Sequence, residues 1–388
     1  MYSIDLFAGV GGFTEGLKNA NIECVLANEI DATIAESYTA NHPSVLMINE
    51  SIDILLKNFD SKIKKLSKDQ GINHTAINKK LKEIDLIVGG PPCQGFSMAG
   101  ARNRKSHNFI KDPRNQLFKK YFELVQKFEP SFFIFENVVG IKSMGNGQIL
   151  SSILSLFDDN KNFSKGKYFM QQKVFSSDNL GIPQKRKRFI IIGSKKPFDL
   201  VEVETKLKNE LKITNKYFFE NSTVRDAISD LEKIKPYIGR IKTNPNTNYQ
   251  KRLSGNSDFT HNHNPLKHSE TVLRRIKMIE PGENFKNLPK EENIKSIHSG
   301  SYGRLSWDSK SNTITTRFDT PSAGRFIHPS LNRNITIREA ARLQSFPDNY
   351  RFLGNKTSVH TQIGNAVPPQ LAEYLGLVIK KIYHEYYK

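Results

Sequence analysis

The sequence is poor in cysteine and has no long apolar run. Its 388 residues include two cysteines, Cys24 and Cys93, which are too few for a disulfide framework and lack the spacing of metal ligands. No apolar run reaches the length of about 18 residues that a membrane span needs, and the N-terminus lacks the pattern of an export signal. We therefore expect a protein of the reducing cytoplasm with no membrane contact and no bound metal.

Acidic residues are scarce relative to basic ones. There are 58 Lys and Arg against 39 Asp and Glu, which gives a formal net charge of +19. An excess of this size favours a polyanionic partner, because cations that neutralise phosphates release condensed counterions. An AT-rich genome also enriches lysine without any such partner. The charge by itself therefore does not decide between these interpretations.

The chain has two regions that differ in their pattern of apolar and polar residues. Up to about residue 195, short apolar runs alternate with amphipathic stretches, which is typical of a parallel α/β sheet. The runs are nearly continuous, as in strands covered on both faces, and predict strands at 3–7, 23–28, 86–89, 132–136 and 189–193. From about 196 to 335 polar residues and turn signals dominate, which indicates a second, less regular domain. A helical pattern returns after Thr336.

A lysine-rich insert occupies residues 53–83. Leu55, Phe59, Ile63 and Leu66 fall on one helical face, and a second short helix is predicted after them. Basic outer faces of such helices either contact DNA or are only solvated. We favour a solvated surface excursion, because charged helix faces ordinarily have no partner.

A glycine-rich turn follows the first predicted strand. Residues 8–13 read Ala-Gly-Val-Gly-Gly-Phe and lead into a helix, and Glu29 ends the second strand. Glycines allow the backbone to approach a ligand closely at a helix N-terminus, and an acidic side chain at the end of the second strand can bind ribose hydroxyls. This pair predicts a cofactor that contains adenosine, a nicotinamide dinucleotide included. A plain turn without a ligand is the alternative.

The segment 89–97 reads Gly-Gly-Pro-Pro-Cys-Gln-Gly-Phe-Ser and follows a predicted strand. Cys93 therefore lies at the carboxyl end of a sheet strand, where open α/β folds bind ligands. Arg102, Arg104 and Lys105 lie downstream, a setting that supports a thiolate nucleophile. Cys24 lies inside an apolar run and is interpreted as a small buried hydrophobe.

Two further blocks carry charged residues at the ends of strands. Glu136 follows the apolar run Phe-Phe-Ile-Phe, where desolvation raises the pKa of a carboxyl and suits it to proton exchange. The block 184–188 reads Gln-Lys-Arg-Lys-Arg, and strand alternation puts Arg186 and Arg188 on one face. A basic surface run is the alternative for this last block.

Taken together, these blocks resemble the ordered motif series of bacterial cytosine-C5 DNA methyltransferases. Two more blocks of that series follow in the expected order, at 338–347 and 362–369. The resemblance spans essentially the whole chain and implies a Rossmann-like class I methyltransferase sheet formed by 1–195 and 336–388. The poorly matched stretch 196–335 lies where the family keeps its smaller, irregular target-recognition domain.

The resemblance also implies S-adenosylmethionine as the cofactor and S-adenosylhomocysteine as its product. Glu29 would bind the ribose, and Ile30 would lie against the adenine. The family's aspartate after the third strand is replaced by Ser51, with Asp53 as the alternative after a register shift. The last helix must pack beside the first. The implied cofactor residues are Phe7, Gly9, Gly11, Gly12, Glu29, Ile30, Ser51, Ile52, Pro92, Leu117, Asn365 and Ala366.

For catalysis, the resemblance implies that Cys93 attacks C6 of a cytosine flipped out of the duplex. Glu136 would bind the N3 and amino edge of the base, while Arg188, helped by Arg186, would hold O2. Implied DNA contacts are Ser97, Gln184, Arg304, Thr315 and Arg317. Recognition of the DNA sequence would fall to 196–335 and its basic residues, each of which either reads bases or binds phosphate. Among them are Arg240, Lys251, Arg252, Arg274, Arg275, Arg304, Arg317 and Arg325.

The expected partner is double-stranded DNA, which would associate the protein with the nucleoid. The enzyme is expected to act as a monomer beside a restriction endonuclease of the same specificity. An RNA cytosine methyltransferase is the nearest alternative, but that branch carries a second cysteine in its recognition region, and this chain has none after Cys93. A nicotinamide-dependent dehydrogenase explains the glycine turn and leaves the Cys93 and Glu136 blocks without a role.

Overall fold

The computed structural model describes residues 1–92, 117–234, 240–257, 259–292, 294, 296 and 298–388. Cys93 and Ser97, for which the sequence predicts catalysis and DNA contact, lie outside the described residues. None of the helices in the described ranges combines the length and hydropathy of a membrane-spanning segment.

The described strands, in chain order, are β1 (Tyr2–Leu6), β2 (Glu23–Asn28), β3 (Leu46–Ile48), β4 (Ile84–Gly89), β5 (Phe132–Asn137), β6 (Phe169–Ser176), β7 (Gln184–Lys185), β8 (Lys187–Ser194), β9 (Ile241–Lys242), β10 (Phe259–Thr260), β11 (Gly303–Arg304), β12 (Ser311–Asn312) and β13 (Arg325–Ile327). Seven of these described strands form the central sheet in the order β3-β2-β1-β4-β5-β8-β6. The first five of that order run parallel, and β8 is antiparallel to both of its neighbours. The five strands predicted from the sequence are confirmed, with their ends shifted by at most two residues.

The described helices are α1 (Gly12–Asn19), α2 (Ala32–Asn41), α3 (Ile52–Lys57), α4 (Phe59–Asp69), α5 (His74–Leu81), α6 (Leu117–Phe128), α7 (Gln148–Asp158), α8 (Leu200–Thr214), α9 (Val224–Ile228), α10 (Asn248–Ser254), α11 (Glu270–Lys277), α12 (Ile337–Leu343), α13 (Lys356–Asn365) and α14 (Pro369–Tyr386). They cover both faces of the sheet. Successive β5 side chains show this, because Phe133 and Phe135 join one apolar cluster while Phe132 and Ile134 join another. The period of two along a strand requires this division.

The lysine-rich insert forms three helices, α3 to α5, rather than the predicted two. Their apolar faces are part of the main core, since Leu55, Ile63 and Ile77 are buried in the same cluster as the sheet. Lys64 and Lys65 remain exposed. The insert is therefore an integral layer of the fold rather than an excursion from it.

The sequence pattern changes near residue 195, but the hydrophobic core continues across this position. Val203 and Leu207 of α8 share a cluster with Leu371 of α14. Val10, in the N-terminal glycine turn, shares another cluster with Leu305 and with many residues of the C-terminal helices. The less regular region is thus packed directly onto the turn that the sequence assigns to the cofactor.

The block at 338–347 forms α12 and holds buried charges. The Arg342 guanidinium makes two hydrogen bonds to the Asp348 carboxylate, at 2.8 and 2.7 Å, and is fully buried. Arg333 pairs with Glu339 in the same way, at 2.7 Å for both bonds. Bidentate pairing offsets the cost of burying both charges. This block is therefore a structural brace between α12 and the segments around it.

Candidate active site

The strand order reverses between β1 and β4, and ligands of open α/β sheets bind in the crevice at such a point. The turn after β1 lies at this crevice. Its backbone has left-handed φ angles at Phe7, Gly9 and Gly11, of 56°, 54° and 93°. Such a φ is unfavourable for phenylalanine. A Cβ added at Gly9 would meet nothing within 4 Å, so open space lies directly beside the turn.

The Glu29 carboxylate is aimed at this turn. Its Oε2 accepts a hydrogen bond from the Gly9 backbone N–H at 2.9 Å, and its Oε1 accepts one from the Asp31 N–H at 2.9 Å. Burial raises the pKa of Glu29, while these backbone donors oppose the rise. A carboxylate has about four acceptor positions, and the backbone N–H groups of Gly9, Asp31 and Ile30 act on this one, so capacity remains for a ribose hydroxyl. The geometry fits the predicted role of Glu29.

The other side of the turn is closely packed. A Cβ at Gly12 would lie 2.1 Å from the Val367 carbonyl oxygen, and one at Gly16 would lie 2.2 Å from that of Pro369. These contacts bring the start of α14 against α1. The predicted packing of the last helix beside the first is confirmed, and it requires the absence of a side chain at both glycines. Ala366 is buried next to this contact, and Asn365 is exposed.

Sequence reasoning missed a buried polar group beneath the turn. The Asp5 carboxylate on β1 accepts a hydrogen bond from the Thr14 hydroxyl at 2.8 Å, and that hydroxyl lies 2.7 Å from the Tyr38 hydroxyl. Burial raises the pKa of Asp5 to about 7, because the charged form is poorly solvated there. The signal available was an aspartate inside an apolar strand, which implies a partner for the carboxylate.

The residues expected around an adenine have different exposures. Ile30 is 71% exposed, which leaves an apolar side chain free for a ring, whereas Ile52 is 4% exposed and packs in the core. Ile52 can therefore reach a ligand only through its backbone. Leu117 begins α6 and is partly buried.

The two candidates for the missing aspartate are linked to each other. The Ser51 hydroxyl caps α3 and lies 3.2 Å from Oδ2 of Asp53. Asp53 in turn pairs with Lys120 of α6 at 3.2 Å, and that cation lowers the pKa of the Asp53 carboxyl. The pair joins α3 to α6, the two elements that carry Ile52 and Leu117.

Glu136 and Arg188 form the charged pair of the site. Nε of Arg188 lies 2.8 Å from Oε1 of Glu136, and both side chains are largely buried. Burial raises the pKa of Glu136, against the opposing effect of Arg188 and Arg186. Burial therefore makes this carboxyl easier to protonate than an exposed glutamate, while the Arg188 cation stabilises its charged form.

The segment that leads to Cys93 lies against Glu136. A Cβ at Gly90 would be 2.6 Å from Oε2 of Glu136, so glycine is required for this approach. The Asn137 side-chain amide donates a hydrogen bond to the Pro91 carbonyl oxygen at 3.1 Å. Pro92, which is partly buried, is the last described residue before Cys93. The segment that leads to Cys93 therefore passes beside the Glu136 carboxyl.

Arg186 and Arg188 bond to different partners. The Arg186 guanidinium is fully buried and donates to the carbonyl oxygens of Ile314 and Gly364, at 3.0 and 2.8 Å. The sequence predicted one shared face for the two arginines. A one-residue break between β7 and β8 lies between them, and Arg186 braces the Ile314 and Gly364 segments while its charge acts on Glu136. The buried Nε of Arg186 has no hydrogen-bond partner among the described residues.

Two of the predicted DNA contacts are internal. Gln184 is fully buried, and its amide bridges the Leu343 carbonyl oxygen and the Ile314 N–H, at 3.2 and 2.9 Å. Arg304 is 4% exposed, and its donors bond to the Ile276, Ile279, His328 and Leu331 carbonyl oxygens and to the Asn332 side chain. These bonds use every donor of Arg304, and Gln184 has no exposed surface, which argues against a DNA contact for either residue.

We expect Arg304→Met to lower the free energy of unfolding by about 3 kcal/mol or more, because several buried carbonyl oxygens lose their donor. Urea denaturation measures this. Arg317→Met is the control, since its side chain is 68% exposed and should change stability by less than about 0.5 kcal/mol. Equal stability of the two variants would contradict the bracing role of Arg304.

Thr315 and Arg317 remain available at the surface. Both are exposed, and Oγ1 of Thr315 accepts a hydrogen bond from the Arg317 backbone N–H at 3.3 Å. The backbone of Thr315 packs on Gly364, where a Cβ would lie 2.5 Å from it. This contact places both residues beside the end of α13, at the rim of the same crevice as Asn365.

Comparison with known proteins gives consistent results. The model of the C-5 cytosine-specific DNA methylase family matches residues 1–381. The type II methyltransferase M.DdeI of Desulfomicrobium norvegicum is 33% identical, over 97% of this chain and 88% of that protein. M1.HphI of Haemophilus parahaemolyticus is 30% identical over 98% and 86%. A solved structure titled as a prophage-encoded DNA modification methyltransferase of E. coli superposes with a TM-score of 0.71, at 27% identity and full coverage of both chains.

Proposed function

Because the chain belongs to the C-5 cytosine-specific DNA methylase family, we propose that it methylates C5 of a cytosine within a short specific DNA sequence. The observation that carries this proposal is the buried Glu136–Arg188 pair, against which the segment leading to Cys93 is packed. The relatives' names support a modification enzyme of a restriction-modification system. A cognate endonuclease and a monomeric enzyme are parts of this proposal.

S-adenosylmethionine fits the crevice beside the glycine turn and, when bound, supplies a methyl group on a positively charged sulfur. Gly9 leaves room for it, Glu29 offers a carboxylate with remaining acceptor capacity, and Ile30 offers an exposed apolar side chain. The linked pair Ser51 and Asp53 offers acceptor oxygens for an adenine amino group. No metal is needed for this reaction.

The protein's own residues would act on the base. C5 of cytosine is a weak nucleophile, and addition of the Cys93 thiolate to C6 puts electrons into the ring. Glu136 would donate its proton to N3 and neutralise the charge that develops there. Arg188 orients Glu136 through their 2.8 Å contact and would bind O2. Once C5 had bonded to the methyl group, a base such as water would remove the C5 proton, and the electrons of that C–H bond would expel the Cys93 thiolate. N3 would return its proton to Glu136, which restores the aromatic ring.

The base can reach this site only when it is flipped out of the duplex, which costs a few kcal/mol. The net charge of +19 favours the phosphate contacts that offset this cost. Thr315 and Arg317, exposed at the rim of the crevice, would contact the backbone of the extruded nucleotide. Ser97 belongs to the same proposed interface.

The proposal is tested by expressing the protein in cells that lack cytosine methylation and sequencing their DNA after bisulfite treatment. We expect protected cytosines at one recurring sequence word. Protection confined to transfer RNA, or no protection in any nucleic acid, would overturn the proposal. A Glu136→Gln variant expressed at the same level serves as the background.

We expect that sequence specificity depends on the arginines that remain exposed in 196–335. Arg252 lies between the Tyr217 and Tyr249 rings and donates to Gln370 at 2.7 Å. Arg325 donates to two backbone carbonyl oxygens. Arg252, Arg325 and Arg304 are therefore engaged in internal contacts. The candidates that remain exposed are Arg240, whose guanidinium stacks on the Phe259 ring at 3.8 Å, Arg274 and Arg317.

Truncation to alanine of a guanine-reading arginine should relax the recognition word at one position, at a cost of about 1–3 kcal/mol of discrimination. Methylation of a randomised DNA library by the Arg240, Arg274 and Arg317 variants measures this. A phosphate contact should instead lower the rate on all sequences alike. If all three variants keep the original word and differ only in rate, these arginines do not read bases.

A further inference from the structure

The glycine turn of the cofactor site is held by a side chain 340 residues away in the sequence. The Tyr350 hydroxyl donates a hydrogen bond to the Val10 carbonyl oxygen and lies 2.9 Å from Nε2 of His42. Tyr350 is 2% exposed and His42 is 4% exposed. A buried tyrosine and histidine therefore form a polar support beneath the turn, and no sequence motif pointed to either residue.

The hydrogen-bond pattern fixes the direction of this support. Tyr350 has one hydroxyl proton, and the Val10 carbonyl oxygen can only accept, so the proton lies between them. His42 must then donate its Nε2–H to the Tyr350 oxygen. Burial lowers the pKa of His42 to about 4, which keeps the imidazole neutral at neutral pH.

The same two groups contact Gly11 directly. A Cβ at Gly11 would lie 2.8 Å from Nε2 of His42 and 2.9 Å from the Tyr350 hydroxyl oxygen. The φ of Gly11 is 93°, which L side chains rarely adopt. The turn is thus pressed onto the Tyr350–His42 pair on one side, while Gly9 faces open space on the other.

Tyr350 is itself fixed from several directions. Its ring packs against Phe346 and Phe352, with centroids 4.9 and 5.5 Å apart. Its backbone carbonyl oxygen accepts a hydrogen bond from the buried Arg338 guanidinium. Val10 belongs to the same apolar cluster as these rings. A rigid group of the C-terminal region therefore presents the hydroxyl to the turn.

We propose that Tyr350, oriented by His42, is a positioning residue for the cofactor: it fixes the peptide between Val10 and Gly11 so that Gly9 and Glu29 keep their binding geometry. The inference rests on the proposed function, in which this turn binds S-adenosylmethionine. Pre-organised turns bind more tightly because the cost of ordering them is met in folding. Loss of the hydroxyl frees the turn without removing any group that touches the cofactor.

The test is Tyr350→Phe in the full-length protein, with S-adenosylhomocysteine binding measured by titration calorimetry without DNA. We expect Kd to rise about tenfold, which corresponds to about 1.4 kcal/mol. In methylation assays KM for the cofactor should rise similarly, while kcat at saturating cofactor stays within about twofold. A general loss of folded protein would instead lower kcat at constant KM.

Tyr168→Phe is the matched control. The Tyr168 hydroxyl is also buried, and it also donates to a backbone carbonyl oxygen, that of Pro130 at 2.7 Å. Tyr168 directly precedes β6, however, and three strands of the sheet separate β6 from β1 and the glycine turn. We expect its Kd for S-adenosylhomocysteine to equal that of the wild type. A rise equal to that of Tyr350→Phe would overturn the positioning role.

His42→Leu provides a second variant if Tyr350→Phe does not fold. It removes the donor to the Tyr350 oxygen and should raise the same Kd severalfold. If the wild type binds S-adenosylhomocysteine and the folded variants bind it equally well, the inference is wrong. If the wild type itself does not bind S-adenosylhomocysteine, the proposed function fails instead.

Discussion

Replacement of Cys93 by serine is expected to reduce methyl transfer to background while the fold and DNA binding persist. Serine is close to cysteine in size, but its hydroxyl is a far weaker nucleophile than a thiolate. The reaction needs addition to C6 before C5 can accept a methyl group, so no slower route replaces it. Transfer of labelled methyl groups from S-adenosylmethionine to DNA measures the loss, and gel shifts measure the retained binding.

Cys24→Ser is the internal control for this experiment. Cys24 is buried, and its thiol donates to the Leu26 carbonyl oxygen at 3.4 Å. Burial raises the pKa of this thiol to about 12, so it stays protonated and unreactive. Cys24→Ser should keep its methylation activity. Equal loss in two folded variants, or activity in Cys93→Ser, would contradict the assignment of the nucleophile.

Glu136→Gln is expected to lower kcat by about 10²–10³-fold, with little change in the Kd for S-adenosylhomocysteine. Glutamine has the same shape, but it cannot donate a proton to N3 or stabilise the charge that follows. Burial raises the pKa of Glu136, and this favours the protonated form that the substitution removes. Single-turnover methylation at saturating cofactor isolates the chemical step from product release.

Glu204→Gln is the matched control for Glu136→Gln. Glu204 is also a buried glutamate, 3% exposed, and it pairs with Lys173 and the Tyr374 hydroxyl outside the site. Its substitution should affect stability more than kcat, because it leaves a buried partner unpaired. A similar fall of kcat in both variants would show that the loss at Glu136 reflects disturbed packing rather than chemistry.

The residues that the structure places where the sequence predicted are those at the ends of short apolar strands. Gly9 and Glu29 follow strands whose apolar runs are visible in the sequence, and the parallel order of β1 and β2 brings them together. Glu136 was found in the same way, at the end of β5. Strand ends meet at one edge of a parallel sheet, so local patterns were enough.

The roles of individual arginines were not visible in the same way. A basic residue in a polar stretch has the same local pattern whether it reads DNA or braces the fold. Arg304 is buried because the Ile276, Ile279 and His328 carbonyl oxygens converge on it from separate segments. No comparable set of carbonyl oxygens converges on Arg317 among the described residues, and its side chain stays exposed.

The sequence by itself therefore determined the family, the sheet and the residues at its strand ends, because these follow from periodicity and from motifs a few residues long. Only the tertiary structure decided that Arg186 and Arg188 bind different partners and that α3 to α5 belong to the core. It also decided that Tyr350 supports Val10 across the length of the chain. Such contacts depend on which segments pack together after folding, and no local pattern encodes the partner of a side chain hundreds of residues away.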